Sequence, residues 1–408
     1  MTTKVDRPLS VTRGAVLYIG ALLGPGLLLL PGLAVSRAGP SSIVAWVGLL
    51  LVSGLLAVVF SGLGVIMPSA TGVRAYADAG IGEWAGRSVG WCFLCGIITG
   101  APIVCVIGGD YIAELLHGGR VSAAVSAAVL LTVVVGVTQG GLRLSSGVQL
   151  GLVGMLVVVV LVAVATAAPH SRASNWTPFA PHGWTAIGSA ASVLMFSFIG
   201  WEAIAPLTIR FRRPRTQLPQ VIAIAFVVTS VLYVALAAIT VASLGRGANT
   251  AVPLEALLRV GVGRVAPITA ALAALLLTLG CTNAYLTGAT QLARSLVRRG
   301  LEPDTGADRL PRWLIACIGV SGAAVVSLSA TGVVNAGDLI AVPTVFFLTV
   351  YLGCTTSAVR LLRGPPRAAA LVTVAAVVIV LGFSGLALLP AGVVVVVVAA
   401  LTHRSHRS

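Results

Sequence analysis

The sequence predicts an all-α membrane protein with twelve transmembrane helices. Three observations carry that prediction. Of 408 residues, 58% are hydrophobic and only 9% charged, whereas soluble domains carry about 25% charged residues. Apolar runs recur along the whole chain, and about 20 residues cross the ~30 Å hydrocarbon core. Arginines gather on alternate loops. With the N-terminus inside, Lys and Arg number 20 on the inner segments against 6 on the outer ones. That bias predicts an even number of spans with both termini cytoplasmic. It also accounts for the net charge of +15, so the basic excess needs no nucleic-acid partner.

The first span, 14–35, contains Ile19-Gly-Ala-Leu-Leu-Gly-Pro-Gly26 followed by Pro31-Gly32. Proline removes a backbone hydrogen bond, and each glycine weakens a helix by about 1 kcal/mol relative to alanine. The helix is expected to open there; a kinked helix with a glycine packing face is the plainer alternative. The second span, 42–66, is uninterrupted. The third, 85–116, overruns the bilayer and carries Asp110, which fits either a coupling site or the outer interface. The fourth and fifth, 121–138 and 146–168, are plain apolar runs, and the fifth has no lysine.

The sixth span, 184–208, holds Phe196-Ser-Phe-Ile-Gly-Trp-Glu202, then Pro206 and a run of arginines from Arg210 to Arg215. A charge at that depth costs roughly 2.5–3.5 kcal/mol on insertion scales and marks a functional site or a helix end reaching for headgroups. Spans seven to ten follow at 218–244, 265–293, 313–330 and 335–359, with the eighth again overlong and bearing Asn283. The last two, 368–384 and 386–402, are aliphatic, and Val394–Val398 reads as lipid-facing helix. No linker divides the chain, so residues 1–408 are expected to form one transmembrane domain. Interruptions in spans one and six lie five spans apart, as an inverted repeat of five plus five helices requires. The repeats would cover 14–168 and 184–359, with 368–402 as two added helices.

The six cysteines all fall in or beside apolar spans. Cys92-x-x-Cys95 has redox spacing but no βαβ context, so buried small hydrophobes are the better reading. No His/Cys arrangement has metal-ligand spacing, and no nucleophile constellation points to an enzyme. No metal and no cofactor are expected.

Taken together, these residues resemble the amino acid/polyamine/organocation transporter family. The pattern Gly20-x-x-x-Gly24-Pro25-Gly26 with Pro31 is similar to that family's glycine-rich first helix, with Pro25 where many members have serine. Phe196-Ser-Phe-Ile-Gly200-Trp-Glu202 resembles its Phe-x-Gly-aromatic-Glu signature. Arg212-Arg-Pro-Arg215 and Pro219 resemble its basic inner loop, and Arg294 to Pro303 its eighth-helix exit. Length and short loops look most like the bacterial amino-acid efflux branch.

The resemblance implies a LeuT-like fold with broken helices 1 and 6. It implies an amino-acid carboxylate on amides around Leu23, Gly24 and Gly26; Pro25 has no N–H and removes one donor. The ammonium would meet carbonyls near Ile19, Gly20 and Phe196 to Ile199, which includes Ser197 and Phe198. The turn at Gly200 completes the site, and Phe196 or Trp201 would gate it. Thr99 on the third span, with Gly96, Ile97 and Gly100, and Asn283 on the eighth would contact the side chain. No acid apart from Glu202 faces a cationic substrate, and no base faces an anionic one. Apolar walls reject charged side chains, so leucine, isoleucine, valine or methionine are the expected substrates. Glu202 and Asp110 are the candidate coupling acids, with protons the candidate ion.

The predicted function is secondary active transport of neutral amino acids by alternating access, in the export direction. The alternative is a proton-coupled importer or exchanger of amino acids or polyamines with the same fold. The expected partners are a small amino acid and the lipid bilayer, and the sequence leaves the oligomeric state open. One lysine against 25 arginines points to a GC-rich bacterial genome and hence to the cytoplasmic (inner) membrane.

Overall fold

In hydrocarbon every backbone N–H and C=O must find a partner within the protein, which leaves helices as the economical solution for so apolar a chain. The computed structural model describes residues 9–24, 26–69, 71–140, 146–202, 205–297, 309–334 and 336–405, and the structural statements concern these. Among them, ten helical stretches are long and apolar enough to cross a membrane, with Val11–Leu22 and Ala186–Phe198 as shorter apolar helices. The two short pieces belong to the first and sixth expected spans, which fall below spanning length because each is broken.

The first span comprises α1 (Val11–Leu22) and α2 (Gly26–Ala38). Ser10 caps α1 by accepting the Arg13 N–H at 3.3 Å, satisfying one orphan donor of the first turn. Next come α3 (Ser42–Ile66), α4 (Val73–Gly80), α5 (Glu83–Leu115), α6 (Arg120–Gln139) and α7 (Ser146–Ala167). The sixth span is α8 (Ala186–Leu194), a 3₁₀ turn Met195–Phe198, a non-helical turn over residues 199–202, and a second 3₁₀ turn Ala205–Arg210. Then follow α9 (Pro214–Ile239), α10 (Pro253–Val262), α11 (Ala266–Val297), α12 (Arg312–Thr331), α13 (Ala336–Leu339), α14 (Ala341–Leu361), α15 (Pro365–Gly382) and α16 (Leu388–Ser405). The short helices α4 and α10 occupy stretches that read as polar connections in the sequence.

The third and eighth expected spans form single helices longer than the ~30 Å hydrocarbon core requires. At 33 and 32 residues, α5 and α11 extend about 50 Å at 1.5 Å per residue. Helix α5 is the hub and packs against α6, α11, α12, α14 and α16. Of its most apolar stretch 83% is buried, against 11% for the last helical stretch, Gly385–Thr402. The chain is therefore arranged as a buried pillar with lipid-facing helices around it.

Polar ties fix the broken pieces. Leu9 N–H donates to the Arg210 carbonyl at 3.0 Å, so the stretch just ahead of α1 is strapped to the end of the sixth span. At the opposite end Arg37 on α2 reaches Asp338 at 3.3 Å and Ser189 at 3.4 Å, joining α2 to α13 and α8. Arg259 on α10 pairs with Glu255 at 2.7 Å and with Glu114 of α5 at 3.1 Å.

Candidate substrate-binding site

The chain opens twice, and the two openings face each other. After Leu22 the backbone leaves the helix, and α2 begins at Gly26. Pro25 lies outside the described residues. A helix end leaves its last four carbonyls without intrahelical donors. Ile19 O accepts the Leu23 N–H at 2.7 Å, and Leu22 O accepts the Tyr233 hydroxyl at 2.6 Å. The same hydroxyl lies 2.8 Å from the Ser197 carbonyl in the other break. One phenol from α9 thus bridges both openings, its single proton serving either carbonyl.

In the sixth span the chain turns extended at Ile199. Gly200 has φ +151°, and a Cβ there would lie 2.8 Å from the Ala21 carbonyl oxygen. Only glycine permits both the dihedral and that approach. The freed backbone is then tied by α14 and by Glu202. Gly200 N–H donates to Glu202 Oε2 at 3.0 Å and to the Tyr351 hydroxyl at 3.2 Å. Tyr351 Oη lies 2.5 Å from Glu202 Oε2 and 3.1 Å from the Phe198 carbonyl. Tyr285 of α11 donates to Glu202 Oε1 at 3.4 Å. Glu202 is 1% exposed, and its carboxyl is held by three donors.

A cavity of about 50 Å³ sits where the breaks meet, room for a few water molecules at 10–15 Å³ each. The first break contributes Ala21, Gly24 and Gly26; the sixth span contributes Phe196 and Ile199. Gly96, Ile97 and Gly100 of α5 form a second wall, and Cys281, Thr282, Tyr285 and Phe347 close it from α11 and α14. No charged side chain lines it. A Cβ on Gly24 would meet nothing within 4 Å, so this turn is open to the cavity. The start of α2 points amides and the positive end of its dipole toward the same space. The Thr282 hydroxyl is buried and has no hydrogen-bond partner among the described residues.

The expected site residues separate into groups. Gly24, Gly26, Phe196 and Ile199 line the cavity, as do Gly96, Ile97 and Gly100. Ser197 lies beside it: its unpartnered hydroxyl would be 2.9 Å from a Cβ on Gly26. Ile19, Gly20, Leu23, Phe198, Gly200 and Trp201 build the breaks without lining the cavity. Gly20 faces Val153 of α7, and Leu23 is in the core. Phe198 packs between Trp46 and Tyr233, and Trp201 bonds Ser53 at 3.0 Å and stacks edge-on to Tyr18. Phe196 is therefore the expected gate residue that reaches the cavity, and Trp201 is an anchor. Thr99 bonds back to the Cys95 carbonyl at 2.7 Å, and Asn283 accepts the Thr138 hydroxyl at 2.9 Å. Neither of these two lines the space. Asp110 lies six residues beyond the cavity-lining Val104, or about 9 Å along α5.

Sequence reasoning missed Tyr233, Tyr285, Tyr351 and Thr282. A signal for the tyrosines existed: a phenol inside an apolar span must find a partner for its hydroxyl. Which partner it finds is a matter of helix packing.

Comparison with known proteins identifies the family. The amino acid permease family model matches residues 9–406. YecA of Bacillus subtilis, described as an uncharacterized amino acid permease, is 28% identical over 400 residues, covering 95% of this chain and 94% of that protein. The branched-chain amino acid permease BcaP of Bacillus subtilis is 25% identical over 257 residues, 58% of this chain and 54% of its own length. The L-methionine/branched-chain amino acid exporter YjeH of Escherichia coli is 29% identical over 234 residues, 56% of this chain and 55% of its own. With the match running through both broken helices and the cavity between them, the chain belongs to the amino acid permease family.

Proposed function

We propose that the protein is a secondary active transporter of neutral, aliphatic or sulfur-bearing amino acids, working by alternating access. The observation that carries this reading is the charge-free cavity at the junction of two opened helices. A zwitterionic substrate needs partners for both of its ends. The amides of Gly24, just ahead of α2, and of Gly26, its first residue, suit the carboxylate, and the carbonyls of the opened segments suit the ammonium. Gly96, Ile97, Phe196 and Phe347 leave an apolar space for the side chain, which disfavours charged substrates. Gly96 is also close-packed: its Cβ would meet Phe347 at 2.9 Å, so the pocket suits slender side chains.

The architecture in this reading has twelve spans. Five plus five form an inverted repeat around the broken first and sixth, with the last two helices outside it. Both termini lie in the cytoplasm, and the membrane is the bacterial inner membrane. Export is the proposed direction, supported by the printed function of the Escherichia coli relative. Glu202 is the proposed proton-coupling group, being the acid nearest the site. Asp110 is the second, as an acid of the apolar hub helix about 9 Å along α5 from the cavity-lining Val104.

The test is a panel of labelled amino acids offered to proteoliposomes of purified protein. Leucine, isoleucine, valine and methionine are expected to be transported and to compete with one another. A preference for arginine, glutamate or a polyamine would sink the substrate assignment. Measuring both orientations of the gradient separates export from import.

A further inference from the structure

A second, larger hollow of about 800 Å³ shares no lining residue with the central cavity. It opens between α3, α9 and the turn from α14 to α15, at the end of the molecule where α9 begins. Its floor is a face of α3 kept shallow by small residues, Gly54, Ala57 and Ser61. Phe226 of α9 and Leu362 form apolar walls. Val58 and Ile66, also lining it, are 43% and 53% exposed. Such exposure of apolar groups on spanning helices is stable only against hydrocarbon.

The mouth has the opposite character. Arg215, in the first turn of α9, and Arg363, just before α15, both line the hollow and both are exposed. Neither makes an ion pair or side-chain hydrogen bond among the described residues. The N-termini of two long helices, α9 and α15, end at the same place and add positive potential. Two guanidiniums with no partner among the described residues, set above an apolar trough, suit an amphipathic occupant with an anionic head. Guanidinium matches a phosphate bidentately, and basic pockets between membrane helices suit anionic headgroups.

We infer that this groove binds an anionic phospholipid of the leaflet on the Arg215 side, its phosphate held between Arg215 and Arg363 and an acyl chain laid along the small-residue face of α3. Because α3 and α9 also pack against the elements of the two breaks, an occupant here would brace the frame in which the substrate site sits.

The test uses the full-length protein in zwitterionic nanodiscs. Phosphatidylglycerol, phosphatidylcholine and inorganic phosphate are titrated, with bound lipid counted by native mass spectrometry and stability read by thermal shift. Phosphatidylglycerol is expected to bind and to raise the melting temperature, while phosphatidylcholine and inorganic phosphate leave it unchanged. Losing both charges in Arg215→Gln/Arg363→Gln should weaken phosphatidylglycerol binding roughly 30-fold, at about a factor of five per arginine. The Arg215→Lys/Arg363→Lys pair should restore most of it. Ser61→Trp, which fills the trough and keeps both arginines, should also lose the lipid. A cooperative melting transition and a monodisperse elution peak in each variant confirm that it is folded. Equal binding of both lipids, or undiminished binding by the double glutamine variant, overturns the inference. So does an equal response to inorganic phosphate, or a groove covered by a second copy of the chain, seen as a dimer that Ser61→Trp dissolves without any lipid dependence.

Discussion

Glu202 has its place because the sixth helix stops one turn before it. Its carboxyl accepts from Gly200 N–H, Tyr351 and Tyr285, so it does the work of the missing helix bonds beside the cavity-lining Tyr285. Glutamine retains an acceptor for Gly200 and Tyr351, and its amide can donate to the Tyr285 oxygen. Glu202→Gln is therefore expected to leave the protein folded and inserted while flattening the pH dependence of transport. Flux measured against pH in proteoliposomes checks this, and an unchanged profile would assign Glu202 to structure alone. Tyr233→Phe removes the one hydroxyl shared by the Leu22 and Ser197 carbonyls. Leaving a buried acceptor unsatisfied costs about 1–3 kcal/mol. A lowered melting temperature and slower transport with an unaltered substrate order are expected.

At the scale of elements, the two breaks are one structure. Tyr233 from α9 joins them, Tyr351 from α14 ties the sixth, and Gly200 brings the sixth against the Ala21 carbonyl of the first. Gly200→Ala would need φ near +151° and would set a methyl 2.8 Å from a carbonyl oxygen. Strain of this kind costs about 1–3 kcal/mol before the contact itself is relieved. Separation of the breaks is the expected response, read as lost leucine binding in a thermal shift while the protein still purifies as a folded species. At the far end, Arg37 holds α2, α8 and α13 together through Asp338 and Ser189. That contact ties one piece of each broken helix to α13, which directly precedes α14, the helix that supplies Tyr351.

At the scale of the molecule, α5 provides a buried pillar and the lightly buried helices provide the lipid-facing ring. The family is one of transporters. A carrier that alternates access shows counterflow: unlabelled leucine trapped inside vesicles should accelerate entry of labelled leucine. A channel shows no such acceleration, so flat initial rates would contradict the alternating-access reading.

The sequence by itself determined a great deal. An apolar, charge-poor composition admits only membrane helices, and Gly24-Pro25-Gly26 and Gly200 mark where a helix cannot continue, because backbone propensity is local. Glycine and proline act on their own turn and need no neighbours to be read. The resemblance in the same two stretches pointed to the family, and the cavity does lie there. What only the tertiary structure decided is which side chains share that space. Thr282 faces it and Asn283 does not; Phe196 lines it and Trp201 turns away to Ser53. Across the sixth-span break no single period runs through to assign faces. On the regular helix α11 the sequence leaves open how the helix is rotated about its axis, so one residue's shift in phase exchanges a residue of the cavity for an anchor. The partners of Tyr233 and Tyr351 are likewise set by packing between helices more than thirty residues apart in the chain. Hydrophobic patterning fixes that a helix is buried, whereas the angle at which it meets its neighbours fixes what it touches.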